Sequence, residues 1–146
     1  MVQAAQFQMG RVFLGLLPAE GDIIGALTEF CREHGVQAGW ITAIGTVRQA
    51  EIGYLDHGRG EYLHIEVGQF MEIVSCQGNV SLKDGAPFVH LHIILSGPDG
   101  QTIAGHLFDS TVYVGEFCLQ EVLGPELVRR PDEASGLTLW DLRGKS

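Results

Sequence analysis

The sequence predicts an α+β fold, built mostly from antiparallel β-strands with one main helix near its beginning. From residue 39 onward, runs rich in β-branched and aromatic side chains alternate with short turns that contain glycine. A helical spacing of apolar side chains is clear in one place, between residues 23 and 31. We expect residues 1–146 to form a single domain, because no linker, repeat or low-complexity tract divides them.

The chain is expected to open with a strand that leads into this helix. Residues 7–17 alternate loosely between apolar and polar side chains, and Pro18 ends the run. Five apolar residues of the helix share one face: Ile23, Ile24, Leu27, Phe30 and Cys31. Arg32 and His34 suit the negative end of the helix dipole, and Gly35 is expected to cap the helix.

Strand-like segments fill most of the remaining chain. They are predicted over residues 39–47, 50–56, 62–67, 70–76, 79–82, 89–95, 102–108, 111–122 and 137–142. Residues 125–130 are expected to form a turn or a half-helix, and residues 131–136 a polar loop. Successive strands with tight connections favour antiparallel pairing.

The composition disfavours several classes of function. The net charge is −9 with only nine Lys and Arg residues, whereas a nucleic-acid-binding protein usually presents a basic face. Charged residues make up 18% of the chain and hydrophobic residues 45%, so we expect other subunits to cover part of the surface. The sequence predicts no membrane span, and Cys31, Cys76 and Cys118 form no Cys-x-x-Cys pair. We therefore expect a cytoplasmic oligomer without a disulfide framework.

The most informative turn lies between two of the predicted strands. Residues 97–100 are Gly-Pro-Asp-Gly, in which proline presets φ and Gly100 tolerates a positive φ. A three-residue loop that ends in a left-handed Gly100 pairs Gly97 with Gln101. This turn type fixes the register of the whole hairpin, since a slip of one residue would reverse every side chain.

In that register, three histidines fall on one face of the hairpin. His92 lies directly opposite His106, and His90 is two residues from His92 on the same side. Three imidazoles at this spacing can bind one ion at metal–nitrogen distances of about 2.0–2.1 Å. The alternative is that hydrogen bonds at a subunit interface satisfy all three histidines without a metal.

Neutral imidazole ligands suit zinc, and iron, nickel and copper accept them as well. Three histidines leave a fourth coordination position for water or for a ligand. Glu116 is the candidate to work there, as a fourth ligand, as an acid or base, or as the acceptor of an imidazole N–H. Asp109 is a second carboxylate near His106, for which a solvated turn is the preferred interpretation.

Several motifs agree in order with those of one known family. They are Glu72-Ile73-x-Ser75-x-x-Gly78, Pro87-x-x-His90-x-His92, Asp99-Gly100, Gly105-His106-Leu107 and the later Glu116. The sequence resembles the plant and prokaryote conserved (PPC) domain over nearly its full length. It departs from the family pattern at Ala104, where the first glycine of Gly-Gly-His is usual, and it contains no Arg-Gly-Arg-Pro hook.

The resemblance implies a barrel-like α+β homotrimer, similar to the acetolactate decarboxylase-like fold, whose relatives hold zinc with three histidines. By position these histidines are His90, His92 and His106. In plant nuclear members the hook supplies the obvious DNA contacts, so the DNA-binding label transfers poorly to this acidic chain.

Two classes of function remain open. The first is a metal-binding regulatory or ligand-binding module whose partner is a small molecule or a protein. The second is a zinc-dependent lyase or hydrolase, in which Arg11 or Arg48 would hold an acidic substrate and Glu116 would be the acid. DNA regulation ranks third. A cupin is excluded because residues 93–95 are Ile-Ile-Leu where that motif requires a glutamate.

Overall fold

The structure is a computed structural model that describes residues 2–143. Its elements in chain order are β1 Gln8–Leu16, α1 Ile23–His34, β2 Gly39–Asp56, β3 Glu61–Val67, β4 Met71–Lys83, β5 Ala86–Ser96, β6 Thr102–Leu123, β7 Arg129–Pro131 and β8 Thr138–Trp140. All the pairings between these named strands are antiparallel, and α1 lies between the first two. The predicted α+β class is therefore confirmed.

Three predicted pairs of short strands are single long strands. Residues 39–47 and 50–56 join in β2, residues 70–76 and 79–82 join in β4, and residues 102–108 and 111–122 join in β6. Where the sequence suggested breaks in β2 and β6, the pairing between these two strands shifts register instead. The strands bend at these shifts and continue. Residues 125–130, predicted as a turn or a half-helix, form no helix: a bend at Gly124 and Pro125 is followed by Val128, which bridges to Leu82, and Arg129 begins β7.

The long strand β6 closes the sheet into a barrel-like ring. It pairs with β5 through its first residues and with β2 along most of its length. Strand β2 pairs with β4, and β4 pairs with β5, which completes a circuit of four strands. Strand β1 extends the sheet from β6, β3 extends it from β2, and β7 with β8 forms a separate hairpin.

Helix α1 packs its apolar face into the core. Ile23, Leu27 and Cys31 are buried with side chains of the strands around them. The Asp22 carboxylate caps the N-terminus by accepting the Gly25 N–H at 2.7 Å, and Gly35 caps the C-terminus with φ of 66°. No helix within residues 2–143 is long and apolar enough to cross a membrane.

Candidate metal centre

The hairpin turn before β6 has the geometry that the sequence predicts. The Gly97 N–H donates to the Gln101 carbonyl at 2.9 Å, and the Gly100 N–H donates to the Gly97 carbonyl at 3.0 Å. Gly100 has φ of 79°, which a residue with a Cβ adopts only at a cost. The loop is therefore the three-residue type, and it sets the register of β5 against β6.

This register brings the three histidines together on the outer face of the barrel. His92 lies directly opposite His106 across β5 and β6. Leu91 lies between His90 and His92, and Leu107 follows His106. Both leucines are completely buried in the core, and because successive side chains of a strand alternate, the three histidines point outward. His90 and His106 are half-buried, and His92 is exposed.

The imidazole nitrogens lie close enough to share one ion. One ligand atom from each of the three histidines falls within 4.8 Å of the others. Nε2 of His90 is 3.1 Å from Nδ1 of His106. Two nitrogens bound to one tetrahedral zinc at the usual bond length are separated by about 3.3 Å, so this spacing fits such an ion.

Both half-buried histidines are held in the neutral form. Burial lowers the pKa of His90 to about 4, and the positive charge of Arg129 and the other two imidazoles add to the effect. Burial likewise lowers the pKa of His106 to about 4, with contributions from His92 and Arg129. Since a histidine must be unprotonated to bind a metal, these two are in the competent state at neutral pH.

Arg129 is a part of this centre that sequence reasoning missed. Its Nη2 lies 3.2 Å from Nδ1 of His90 and donates to Oδ1 of Asn79 at 2.9 Å. Its Nε donates to the Ser81 hydroxyl at 2.8 Å, and its Nη1 to the Thr138 carbonyl at 3.0 Å. The guanidinium thus ties the β7–β8 hairpin to strands β4 and β5 beside the histidines.

Aromatic rings border the centre on the side of His106. The Tyr62 and Phe108 rings lie 5.3 Å and 4.7 Å from the His106 ring, centroid to centroid. Gly53 is opposite His106 on β2, and an added Cβ there would lie 2.2 Å from the Phe108 ring. The missing side chain at this position lets the rings pack against the strand, which limits water on one side of the histidines.

The structure does not bring the candidate carboxylates to the histidines. Glu116 follows His106 on the same strand, about 30 Å further along at the usual rise per residue, where it pairs with Leu16 and Ile44. Asp109 is exposed and accepts the N–H of the next residue, Ser110, at 2.8 Å. Within one chain, neither carboxylate belongs to the cluster.

The two candidate cations also lie elsewhere. Arg11 forms an ion pair with Glu121 at 2.6 Å and donates to the His34 carbonyl. Arg48 pairs with Glu20 at 2.6 Å. Neither arginine contacts a histidine of the centre, so the cation there is Arg129, which the sequence did not mark because its strand is short and far along the chain.

Comparison with known proteins identifies the family. The model of the Plants and Prokaryotes Conserved domain, also called PPC, matches residues 4–123. The chain belongs to this family. A PPC protein of Pyrococcus horikoshii has 38% identity and a TM-score of 0.91, with 97% of each chain covered. A metal-containing protein of Archaeoglobus fulgidus has 40% identity and a TM-score of 0.92, covering 96% of this chain and 99% of that one.

More distant comparisons agree on the fold of this PPC-family chain. The α-acetolactate decarboxylase of Bacillus subtilis has 13% identity and a TM-score of 0.58, over 85% of this chain and 57% of that one. At this identity the match shows the fold alone, and it confirms the predicted similarity to the acetolactate decarboxylase-like fold.

A bifunctional GlmU protein of Synechococcus is 32% identical over 130 residues, which are 86% of this chain and 20% of that protein. The chain thus spans about a fifth of that relative.

Proposed function

We propose that this PPC-family chain binds one zinc ion through His90, His92 and His106 and acts as a ligand-binding or regulatory module. The observation that carries the proposal is the convergence of three imidazoles on the outer face of the barrel. The metal-containing relative from Archaeoglobus fulgidus supports it. Bound zinc would supply a Lewis acid with a fourth position open to water or to an anionic ligand.

The protonation state of the histidines and the aromatic rings beside them support metal binding at this centre. His90 and His106 are neutral before any ion arrives, so binding requires no proton loss from either of them at neutral pH. The rings of Tyr62 and Phe108 cover one side, while the exposed His92 leaves the other side accessible. A ligand would therefore approach from the side of His92.

A binding role is better supported than the alternative of a lyase or hydrolase. Such an enzyme needs an acid or base beside the ion. The candidate acid, Glu116, lies far along β6 from the histidines, where it pairs with Leu16 and Ile44. A stoichiometric ligand without turnover is the behaviour that this set of groups favours.

We also propose that the chain assembles as the homotrimer that the family resemblance implies. Exposed apolar side chains from β1, β2 and β6 form a continuous surface, called the apolar face: Val12, Leu14, Leu16, Ile44 and Val114. Leu14 and Leu16 are 81% and 78% exposed in the single chain. A contiguous apolar surface of this kind marks a protein interface. Glu116 lies within it, between Leu16 and Ile44.

Two further expectations complete the proposal. The free state of Cys31, Cys76 and Cys118 supports a reducing, cytoplasmic location. The net charge of −9 supports a small-molecule or protein partner over direct contact with DNA.

Metal analysis of the purified protein tests the proposed site. We expect about one zinc ion per chain in the wild type and in His57→Ala, whose histidine lies in the exposed turn after β2. His92→Ala should lose most of the zinc, because it removes one of three ligands from an exposed position where the fold does not depend on it. Equal zinc in His92→Ala and the wild type would refute the assignment.

A further inference from the structure

A concave site lies beside the histidine cluster, between the two tryptophans of the chain. It is a cavity of about 340 Å³, within the range of small-molecule pockets. Trp40 on β2 and Trp140 on β8 line it, together with the apolar side chains of Phe7 and Leu127. The two indoles come from elements far apart in sequence, and the β7–β8 hairpin brings them together.

The tryptophans are more exposed than the rest of the apolar interior. Trp40 is 44% exposed and Trp140 is 38% exposed, whereas Leu127 in the same lining is buried. An indole that lines a cavity and still contacts solvent can pack against the ring of a ligand, and such aromatic pairs contribute binding free energy beyond the burial of their area. The lining therefore favours an aromatic ring.

The polar edge of the cavity is built by Asn79. Its Oδ1 accepts a hydrogen bond from Arg129, which leaves the donor end of the amide, the NH₂ group, for a ligand. The guanidinium of Arg129 also lies 5.9 Å from the Trp140 ring and gives this edge a positive charge. Asn79 faces His90 across β4 and β5, so the edge adjoins the histidine cluster.

We propose that the cavity between Trp40 and Trp140 binds a small aromatic carboxylate, with the ring against the indoles and the carboxylate at the Asn79 edge. This site is separate from the metal centre and does not require zinc. The ring supplies the apolar contact, and the carboxylate accepts from the Asn79 amide in the field of Arg129.

Tryptophan fluorescence tests the proposal directly, because both tryptophans of the chain line this cavity. The probes are 3-phenylpropionate, its uncharged analogue 3-phenylpropan-1-ol, and butyrate, which lacks the ring. We expect a saturable change with 3-phenylpropionate and binding weaker by about fivefold or more for the other two, since each lacks one of the two contacts.

Variants separate this site from other causes of a signal. Ala5→Leu extends a side chain into the cavity without altering a strand, and it should weaken binding of 3-phenylpropionate by about tenfold. Ala134→Leu makes the same change in an exposed loop and should bind like the wild type. Asn79→Ala should weaken binding of the carboxylate more than binding of the alcohol.

The titration is run on protein treated with a chelator and on zinc-loaded protein. Equal affinity for 3-phenylpropionate in the two preparations supports the proposed carboxylate site, and this result does not depend on whether the histidines bind zinc. The proposal is overturned if no probe gives a saturable change, or if Ala5→Leu binds like the wild type. It is also overturned if the response disappears when the assembly dissociates on dilution, because a second copy of the chain would then be forming the site.

Discussion

At the scale of single residues, Arg129 decides how His90 presents its nitrogens. Arginine has only donors, so Nδ1 of His90 accepts from it, and the hydrogen of the neutral ring lies on Nε2, facing His106. A metal bound at Nε2 would move that hydrogen to Nδ1, and the contact with Arg129 would then lengthen. The usual partner of a ligand imidazole is an acceptor, so zinc binding through Nε2 of the neutral His90 ring also requires the Arg129 guanidinium to move away from Nδ1.

Arg129 also supports the fold through a completely buried hydroxyl. The Ser81 side chain is 0% exposed, and its Oγ accepts from Nε of Arg129. We expect Arg129→Met to lower the free energy of unfolding by about 2–3 kcal/mol, because it strands this hydroxyl and releases the hairpin. Chemical denaturation measures the difference.

The neighbouring arginine provides a matched control for this prediction. Arg130→Met removes a mostly exposed side chain paired with Asp141, so its cost should be about 0.5 kcal/mol or less. The double variant Arg129→Met, Ser81→Ala should recover part of the loss. If Arg129→Met and Arg130→Met lowered the free energy of unfolding by similar amounts, the role assigned to Arg129 would be contradicted.

At the scale of elements, local turn chemistry explains why the histidine hairpin was predictable. Residues 97–100 determine the turn, and the turn determines the register of His92 against His106. The merger of short strands into β2, β4 and β6 was not predictable, because long-range pairing carries the backbone through local interruptions. The position of Arg129 was hidden for the same reason, since it meets His90 only through the β7–β8 hairpin.

Gly78 shows how closely β4 approaches β5 beside the histidines. A Cβ at this position would lie 1.8 Å from the His90 carbonyl oxygen and 2.9 Å from Cα of Leu91. We expect Gly78→Ala to cost about 3 kcal/mol or more in the free energy of unfolding, because the backbone of β5 would have to shift. Thermal and chemical unfolding measure this cost.

A second glycine supplies the control for this substitution. Gly68 has no atom within 4 Å of an added Cβ, so Gly68→Ala should change stability by about 0.5 kcal/mol or less. A Gly78→Ala protein as stable as Gly68→Ala would show that the two strands are further apart than the structure places them.

At the scale of the whole molecule, the histidines and the apolar face occupy different parts of the outer surface of the barrel. The histidines lie on β5 and the beginning of β6, and the apolar face lies on β1, β2 and the later part of β6. The low proportion of charged residues, 18%, is consistent with a face that other copies cover. Because the two surfaces lie apart, we expect assembly through the apolar face to leave the histidines accessible.

The proposed homotrimer predicts a mass of about 48 kDa, three times the 15.9 kDa of one chain. Leu14→Asp combined with Leu16→Asp should shift the protein to monomer, because it buries charge in the apolar face. Val2→Asp, which replaces an exposed apolar residue outside this face, should leave the mass unchanged. Sedimentation analysis distinguishes these outcomes, and a wild-type mass near that of one chain would refute the trimer.

The most direct test of the central claim is a crystal structure of zinc-loaded protein with anomalous diffraction measured on both sides of the zinc absorption edge. We predict one anomalous peak per chain, bonded to a nitrogen of each of His90, His92 and His106 at about 2.0–2.1 Å. The contact between Arg129 and His90 should be longer than 3.2 Å in that structure. A peak elsewhere, or no peak at the three histidines, would contradict the proposed zinc site.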